Sequence, residues 1–539
     1  MSSTTATNPR ASAYDLSVGV TERWFPLGVA ACALALGGFL VARLTVWPPH
    51  EDEALALFVG RDSLGGLWGT VTGDRGGAPL HFLVAWVVEH LGGGLTALRL
   101  ASALFAVASV PVMAVLSARL AGKRVALVAT TLASASWLLL FHGIYGRMYS
   151  LFLLTSALSF LTLLRAVDRN TTGRWALWAL AAVATVATHP YGALVLASQG
   201  LFVVARARTR TGVLALAAVV LAATPFWYAD LVLADRFGVG VGGGGTKLVG
   251  PWSVFQYLWQ FAGDASSGFV FALVPVLLLT AYGWLALRRV QPKAAFLTAV
   301  VVVLPAFAFL LARFGDTTSP ETRHLIFALP FFSTALAAGL VSLLRRPVPI
   351  GCVVAALLVA EVGWAWHRMP ELFKGEAGSR IEARHAASSW LAGTARDDDV
   401  LLGYDPVFLA AWERNRDFPR TVVPRADAKL AAGTLTSAPK PLGRGVWVLD
   451  AGDSANDPPR ATIAYRLPQP ESAFEARRFG PYLVIRTRER TGTPMRYLAL
   501  AKSAMRLGVD LRLVDANVNL ATLQRAEDSV RRSRSTVSR

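Results

Sequence analysis

The fold is decided by the stretch ALRLASALFAVASVPVMAVLSARLAGKRVALVATTLASASWLLLFH, residues 97–142. Two apolar runs, 97–118 and 125–142, stand on either side of a short basic loop at 119–124. The hydrocarbon core of a bilayer is about 30 Å thick and requires roughly 20 apolar residues per helix. The stretch therefore predicts a pair of membrane-spanning helices joined by a cationic turn.

The composition extends this prediction to most of the chain. Of 539 residues, 54% are hydrophobic and only 16% are charged, and the mean hydropathy is +0.45. Soluble domains carry roughly 25% charged residues. The composition excludes a disordered or collagen-like chain and argues against a soluble enzyme. We therefore expect a membrane protein.

The basic charge and the cysteines fit a membrane protein. The formal net charge is +18, which on its own suggests nucleic acid, but polytopic membrane proteins retain Lys and Arg on their cytoplasmic loops. We therefore predict no nucleic-acid partner. The two cysteines, Cys32 and Cys352, lie in apolar stretches far apart, so the sequence predicts neither a disulfide framework nor a cysteine metal site.

Reading for similar apolar runs predicts about eleven spans. They lie near 24–45, 97–118, 125–142, 149–166, 174–188, 191–205, 212–233, 268–287, 294–312, 324–344 and 349–367. The segment 80–94 is too short and too polar to cross easily, so it is predicted to be an interfacial helix. The first span follows a polar head and is predicted to be an uncleaved anchor.

Positive charge beside the spans sets the expected orientation. Arginines and lysines recur in every second loop, and the positive-inside rule makes that side cytoplasmic. The N-terminus is then cytoplasmic, and everything after about residue 368 is outside the plasma membrane. The outer loop with GVGGGGTK, residues 240–247, is predicted to be a flexible lid rather than a nucleotide site.

The part of the chain after the last span differs in character. The runs DDDVLLGYD, RGVWVLDAG and PYLVIRTRE alternate with turn residues and predict short strands, and 497–530 has helical spacing. The predicted fold class is an all-α polytopic membrane domain followed by a small extracytoplasmic α/β domain. The predicted divisions are a cytoplasmic tail at 1–23, a membrane domain at 24–367, the α/β domain at 368–530 and a disordered basic tail at 531–539.

Polar residues gather at the outer ends of the spans, where adjacent helices are joined and must lie near one another. They are Glu51, Asp52, Glu53, Arg99, Arg147, Tyr149, His189, Tyr191, Arg323 and His324. Each alone has an ordinary interpretation as a solvated acid, a helix-hairpin cap or an arginine that extends to lipid headgroups. Their joint placement predicts one outward-facing cavity.

Glycosyl transfer from a lipid phosphate would use such a cavity. A carboxylate takes the proton of the acceptor hydroxyl, and fixed positive charge stabilises the departing phosphate. Asp52 and Glu53 supply the first requirement, and Arg147, Arg99 and Arg323 the second. Glu51, Tyr149, His189, Tyr191 and His324 would line the substrate pocket.

The order of motifs resembles a known superfamily. The motifs are DEA at 52–54, APLHFLVAW at 78–86, LRLASALFAVASVPVMAVLSARLAGKRVAL at 98–127, YGRMYSLFLLTSALSF at 145–160, THPYGALVL at 188–196 and RHLIFALPFF at 323–332. Over roughly residues 20–345 the chain looks like the GT-C superfamily of glycosyltransferases that use polyprenyl-phosphate sugars. The branch it resembles contains bacterial family 39-type enzymes, protein O-mannosyltransferases and the lipid A aminoarabinose transferase.

The resemblance implies particular roles. Asp52 would be the catalytic base, and Glu53 would position the acceptor or a cation. Arg147 would contact the donor phosphate, and His189 and Arg323 match further motif positions. The sequence departs from many relatives at 76–79, which reads Gly-Gly-Ala-Pro where they carry a His or Lys before the proline, and around Tyr145, where they carry an acid.

The sequence thus predicts an inverting glycosyltransferase that moves a sugar from a polyprenyl phosphate to an extracytoplasmic glycan, lipid or protein. No nucleotide is required, and no certain cofactor or metal ligand set is predicted, while a divalent cation near Asp52 is left open. Two alternatives stay open: a transporter or flippase for a lipid-linked saccharide, and a catalytically inactive envelope scaffold.

Overall fold

The computed structural model describes residues 18–77, 79–237, 252, 259, 261–266, 268–311, 322–373, 377–453, 466–513 and 515–537. The predicted lid at 240–247 and the loop residues 313–321 lie outside these ranges. The chain divides into two compact units. The membrane unit comprises Met1–Val46, Leu64–Val88 and Thr96–His367, and the sheet unit comprises Trp47–Ser63, Glu89–Leu95 and Arg368–Arg539.

The first part of the chain, through residue 373, is helical wherever regular structure is described. Its α-helices are α1 Val18–Arg43, α2 Glu51–Gly60, α3 Leu64–Gly69, α4 Pro79–His90, α5 Leu95–Ala121, α6 Lys123–Ser134, α7 Trp137–His142, α8 Tyr149–Arg169, α9 Thr172–Thr188, α10 Gly192–Phe202, α11 Arg210–Ala222, α12 Thr224–Phe237, α13 Val270–Val290, α14 Pro292–Leu311, α15 Leu329–Leu344 and α16 Pro347–Phe373. Two π-helical segments, Thr70–Arg75 and Val203–Ala207, and a 3₁₀ helix, Thr322–Ala328, complete this set.

Several of these helices can cross a bilayer, which makes the chain a multi-pass membrane protein. Within the described ranges, six helices are long and apolar enough, or seven if the bent pair Arg210–Ala222 and Thr224–Leu233 is one span. The six are Arg23–Arg43, Leu95–Ala121, Tyr149–Arg169, Phe271–Val290, Thr322–Leu344 and Pro347–Met369. The predicted count of eleven is not confirmed.

The remaining predicted spans are shorter or broken. The run 125–142 divides into α6 and α7 at Ser136, and the backbone N–H of Trp137 donates to the buried carboxylate of Glu361 at 2.6 Å. The run 212–233 bends by 53° between α11 and α12. α9 has 17 residues, and the segments Gly192–Ala207 and Pro292–Leu304 are apolar but short. Hydropathy alone does not register these breaks, because the residues on both sides of each are apolar.

Small residues let two long helices of the membrane unit approach closely. A Cβ on Gly283 of α13 would lie 1.9 Å from the carbonyl oxygen of Ala335, and a Cβ on Gly339 of α15 would lie 2.1 Å from that of Leu279. In lipid, helices associate through close packing, which glycine at the contact permits. This contact holds α15, the continuation of the 3₁₀ helix that carries Arg323.

The sheet unit contains a five-stranded sheet and five helices beyond residue 373. These elements are α17 Ala377–Thr394, β1 Val400–Leu402, α18 Pro406–Arg414, β2 Thr421–Val423, α19 Ala428–Ser437, β3 Gly445–Asp450, β4 Phe474–Phe479, β5 Tyr482–Thr487, α20 Pro494–Asp510 and α21 Ala516–Val537. Two 3₁₀ turns, Ala451–Asp453 and Glu471–Ala473, accompany them.

The strand order is β2-β1-β3-β5-β4, with β1 parallel to both of its neighbours and β5 antiparallel to both β3 and β4. Trp447 of β3 and Ile485 of β5 are buried beside Tyr497 of α20, so the core lies between the sheet and the C-terminal helices. The three predicted strand segments are confirmed as β1, β3 and β5, whereas β2 and β4 are not among them.

The prediction of disorder from residue 531 is wrong as far as Val537, because α21 continues through that residue. Glu527 accepts from Arg531 one helical turn later and pairs with Lys502 of α20. These charge pairs tie a basic segment to its neighbouring helix, so the arginine-rich composition does not prevent helix formation.

Candidate functional site

The turn before α8 is held in place by side-chain contacts to its backbone. Ser102 of α5 donates to the carbonyls of Tyr145 at 2.5 Å and Arg147 at 3.2 Å. Ser150 donates to the carbonyl of His142 at 3.2 Å. These hydrogen bonds fix the backbone that presents Arg147 and start α8 with Tyr149 at its first position.

Tyr149 is the centre of the polar cluster in the membrane unit. Its side chain is fully buried, and its hydroxyl lies 3.3 Å from Nε2 of His324. The guanidinium carbons of Arg147 and Arg323 lie 5.1 and 5.3 Å from the centroid of its ring. Both distances are in the cation–π range. Two cationic side chains from distant parts of the sequence therefore contact one aromatic ring.

Two histidines and a second tyrosine surround the same ring. The ring centroids of Tyr149 and His189 are 5.8 Å apart, those of His189 and His324 are 5.5 Å apart, and those of Tyr191 and His324 are 5.1 Å apart. The Nδ1 of His189 accepts the backbone N–H of Tyr191 at 3.0 Å, because the His-Pro-Tyr turn places the ring beside the start of α10. Sequence analysis predicted these residues together, and the structure brings them together.

His189 is neutral at physiological pH in this environment. Burial, and then the positive charges of Arg147 and Arg323, lower its pKa to about 3. With Nδ1 occupied as an acceptor, the neutral ring carries its proton on Nε2. The cluster's positive charge therefore comes from its arginines, and His189 contributes a neutral hydrogen-bonding group.

An aspartate that sequence analysis did not single out positions the 3₁₀ helix. Asp264 is 1% exposed, and its carboxylate accepts from the hydroxyl of Thr322 at 2.7 Å and from Nε1 of Trp364 at 3.1 Å. Thr322 immediately precedes Arg323 and His324. Asp264 thus links the residues that carry the cluster to α16, and the sequence from 255 to 274 contains no other charged residue or histidine that would have formed a pattern with it.

Glu361 is a second acid that sequence analysis missed. It lies inside the apolar helix α16, is 1% exposed, and accepts the N–H at the start of α7. A buried acid within an apolar run is itself a signal, since such residues are rare unless they have a partner. Its contact helps set the direction of α7, which ends at His142.

Arg99 lies near the start of α5, beside the end of the first span. Its side chain is 1% exposed, and one guanidinium nitrogen donates to the carbonyl of Leu44 at 3.0 Å, beyond the end of α1. Its guanidinium carbon lies 5.3 Å from the ring of Tyr145. These contacts hold Arg99 between the end of α1 and the turn before α8, and its contact with a donor phosphate stays a prediction.

The three acids at 51–53 belong to the sheet unit, where they begin α2. His50 is the N-cap: the N–H of Asp52 donates to its Nδ1 at 3.1 Å, and Glu53 accepts the N–H of His50 at 2.8 Å. Glu53 is fully buried in this capping box. Glu51 receives both Nε and a terminal nitrogen of Arg425 at 3.2 and 2.7 Å.

Asp52 differs from the acids on either side. Its side chain is 38% exposed, and its carboxylate lies 3.5 Å from Nδ1 of His50. Asp52 keeps a partly exposed carboxylate, as does Glu51, whose side chain is 36% exposed but pairs with Arg425.

The residues around Asp52 do not form a protein cage for a metal. In the described part of the chain, no group of three or more His, Cys, Asp or Glu side chains could hold an ion. Glu51 is engaged by Arg425, Glu53 by the capping box, and the carboxylate of Asp52 lies beside His50. We therefore derive no chemical step from a metal.

Comparison with solved structures identifies the class of fold. At the identities found, the similarity concerns the fold alone. The chain is similar to ArnT from Cupriavidus metallidurans bound to undecaprenyl phosphate, with a TM-score of 0.53 and 16% identity over 86% of this chain and 98% of that chain. The apo state of the same protein gives a TM-score of 0.51 at 15% identity, over 87% and 98% of the two chains.

A more distant structure is the oligosaccharyltransferase AglB from Archaeoglobus fulgidus in complex with an inhibitory peptide and a dolichol-phosphate. Its TM-score is 0.44 at 12% identity, over 80% of this chain and 70% of that chain. No protein-family model and no curated protein matches this chain. The similarity to ArnT therefore establishes the fold, and the site must be interpreted from its own residues.

Proposed function

We propose that the chain is an inverting glycosyltransferase of the outer face of a bacterial plasma membrane. It transfers a sugar from a polyprenyl monophosphate to a hydroxyl of an extracytoplasmic glycan, lipid or protein. The observation that carries this proposal is the placement of Arg147 and Arg323 against the single buried ring of Tyr149.

Two guanidinium groups beside the ring of Tyr149 are suited to binding a phosphate group. Arginine matches phosphate with paired N–H donors, and negative charge develops on the phosphate as the glycosidic bond breaks. The neutral imidazole of His189 and the ring of His324 add uncharged and polar groups next to the two arginines. ArnT, which shares the fold, holds undecaprenyl phosphate, and this supports a polyprenyl donor.

Asp52 is the general base in this proposal. Its carboxylate accepts the proton of the acceptor hydroxyl while the hydroxyl oxygen attacks the anomeric carbon. The bond from that carbon to the phosphate oxygen breaks, and the phosphate leaves with the electron pair. A single displacement inverts the configuration. Glu53 fixes the start of α2, and Glu51 orients it through Arg425.

The direction across the membrane follows from the basic loops. Arginine-rich loops on every second connection support a cytoplasmic N-terminus, acids 51–53 at the outer face and an extracytoplasmic segment after residue 368. The donor's own phosphate is the leaving group, so the reaction requires no nucleotide. The sheet unit would then meet the acceptor outside the cell.

The test is a transfer assay with the full chain in lipid nanodiscs and a panel of radiolabelled undecaprenyl-phosphate sugars. We expect label transfer by the wild type to an envelope extract and a loss of at least about 100-fold with Asp52→Asn, since general-base removal costs about 10² to 10⁴. Asp168→Asn is the control, because Asp168 is 60% exposed and pairs with Arg119 at the C-terminal ends of α8 and α5. Transfer retained by Asp52→Asn contradicts the assignment of the base.

Two further outcomes separate the alternatives. A fluorescent undecaprenyl-phosphate sugar that changes leaflet in proteoliposomes without transfer identifies a transporter. Failure of every labelled sugar to be transferred or moved, with intact binding of an envelope component, identifies a scaffold. Either outcome overturns the proposed reaction.

A further inference from the structure

A second cluster of polar side chains lies in the sheet unit, around Arg61, the residue that directly follows α2. We call Arg61, Glu89, Trp412, Arg416 and Arg420 the Arg61 cluster. The guanidinium carbon of Arg61 lies 3.4 Å from the ring centroid of Trp412, and that of Arg416 lies 5.2 Å from the same centroid. Arg416 also approaches the carboxylate of Glu89 at 3.9 Å.

Three buried polar atoms of this cluster have no hydrogen-bond partner among the described residues. They are a terminal nitrogen of Arg61, Oε1 of Glu89 and Nε1 of Trp412. The side chain of Glu89 is 4% exposed and Trp412 is 2% exposed. Buried donors and acceptors are nearly always paired, so three unpaired atoms in one neighbourhood call for an explanation.

Internal pairing does not supply that explanation. A structural ion pair between Arg61 and Glu89 would satisfy both atoms, yet each keeps an unpaired one. Glu413, the neighbouring acid, is engaged by the backbone N–H of Leu95 at 2.8 Å. The cluster thus offers two N–H donors and one carboxylate oxygen toward something other than its own residues.

The charges of the Arg61 cluster indicate the chemical class of its ligand. Three arginines outnumber the single carboxylate of Glu89 within the cluster, and the charges of Asp62 and Glu413 act on Arg61 and Glu89 from its edge. Burial, and then the charge of Arg420, lower the pKa of Arg61 to about 9. Burial raises the pKa of Glu89 to about 7, so this carboxyl changes protonation near neutrality. An anion relieves the arginines, and a hydroxyl next to that anion satisfies Glu89.

We propose that the Arg61 cluster binds a phosphate group that carries a neighbouring hydroxyl. Phosphate oxygens accept from Arg61 and from Nε1 of Trp412, and the hydroxyl donates to Oε1 of Glu89. Arginine binds phosphate through two parallel hydrogen bonds, and its stacking on Trp412 holds the guanidinium in one orientation. The site lies on residues distinct from the Tyr149 cluster and does not depend on glycosyl transfer.

Two kinds of molecule carry a phosphate group with a neighbouring hydroxyl. They are a soluble glycerol or sugar phosphate and the headgroup of phosphatidylglycerol. The probe is glycerol 1-phosphate, with inorganic phosphate as the reference that lacks hydroxyls. Binding is measured by isothermal titration calorimetry on the full chain in phosphatidylcholine nanodiscs at low salt. We expect tighter binding of glycerol 1-phosphate than of inorganic phosphate.

Variants then assign the contacts. We expect Arg61→Gln to weaken binding of both probes by about tenfold or more, as for loss of a charge-assisted hydrogen bond. Glu89→Gln should reduce the preference for glycerol 1-phosphate and leave the affinity for inorganic phosphate unchanged or higher. Arg496→Gln is the matched control, since it removes the same charge from the same unit at a 57% exposed side chain.

Three results overturn the proposal: no binding of either probe at millimolar concentration, equal losses with Arg61→Gln and Arg496→Gln, or an unchanged preference in Glu89→Gln. If Arg61→Gln unfolds the sheet unit, Glu89→Gln still tests the hydroxyl contact. Nanodiscs containing phosphatidylglycerol identify the source: competition with glycerol 1-phosphate supports the lipid headgroup, and unchanged affinity supports a soluble phosphate.

Discussion

Arg147→Gln is expected to weaken the binding of undecaprenyl phosphate without destabilising the protein. The guanidinium carbons of Arg147 and Arg323 lie 5.1 and 5.3 Å from the same ring centroid, so they are separated by no more than the sum of these distances, about 10.4 Å. At that separation two positive charges repel by about 1.6 kcal/mol at an effective dielectric constant of 20. Solvent screening of these half-buried groups reduces the repulsion toward about 1 kcal/mol, which offsets the roughly 0.5–1 kcal/mol of the cation–π contact with Tyr149 that the substitution removes.

The same substitution acts in the opposite direction on the complex. A hydrogen bond from a charged group to phosphate contributes about 1.5–3 kcal/mol. Its loss raises the dissociation constant by about 10- to 150-fold. Removing one arginine therefore lowers affinity for the anion while it relieves repulsion in the unliganded protein. A residue with a purely structural role would lower stability instead.

Both quantities are measured on the full chain in nanodiscs, by titration with undecaprenyl phosphate and by thermal melting without ligand. Arg346→Gln is the control, because Arg346 is an exposed residue in the loop between α15 and α16. We expect the melting temperature of Arg147→Gln to stay constant or rise. A lower melting temperature together with an affinity within threefold of the wild type refutes the reasoning.

Three further predictions concern groups that position the sites. Asp264→Ala should lower the melting temperature and the rate of sugar transfer together, because Thr322 and Trp364 lose a buried acceptor worth about 1–3 kcal/mol; unchanged melting contradicts this. Glu51→Gln and Arg425→Gln should each destabilise the sheet unit, and the double variant should cost little more than either, as a thermodynamic cycle in denaturant would show. Burial raises the pKa of Asp405 to about 7. The folded state then retains a proton that the unfolded state releases near pH 4, so stability falls as pH rises from about 4 to 7. Asn at position 405 can still cap α18. In thermal melts between pH 5 and 8, Asp405→Asn should therefore lose stability less steeply with pH than the wild type, and the decline that remains is due to Glu89.

The class of fold could be predicted because it depends on composition over long windows. A run of twenty apolar residues has few alternatives to a membrane helix, and the strands β1, β3 and β5 are bounded by clear turn residues. The breaks inside the apolar runs could not be predicted in this way. The interruption between α6 and α7 depends on a hydrogen bond to Glu361, which lies more than two hundred residues further along the chain.

The Tyr149 cluster could be predicted for a geometric reason. His189 and Tyr191 lie in one tight turn, and Arg147 and Tyr149 lie in another, so each pair is fixed locally before the helices pack. Arg99 shows the limit of the same reasoning, because an arginine at the start of a long apolar run fits a donor site and a carbonyl cap equally well. The Arg61 cluster unites residues separated by more than three hundred positions, and no local pattern indicates it.

The acid triplet shows how local helix geometry separates residues that a motif treats as equivalent. Successive helical residues are rotated by about 100°, so three adjacent acids cannot face the same way. The third acid reaches back to the N-cap in a capping box, as Glu53 does, and the first lies where Arg425 binds it. The second keeps a partly exposed carboxylate beside His50. The roles proposed for Glu51, Asp52 and Glu53 thus follow from their positions at the start of α2, and a base at any other position of the triplet would have to give up a contact that holds the helix in place.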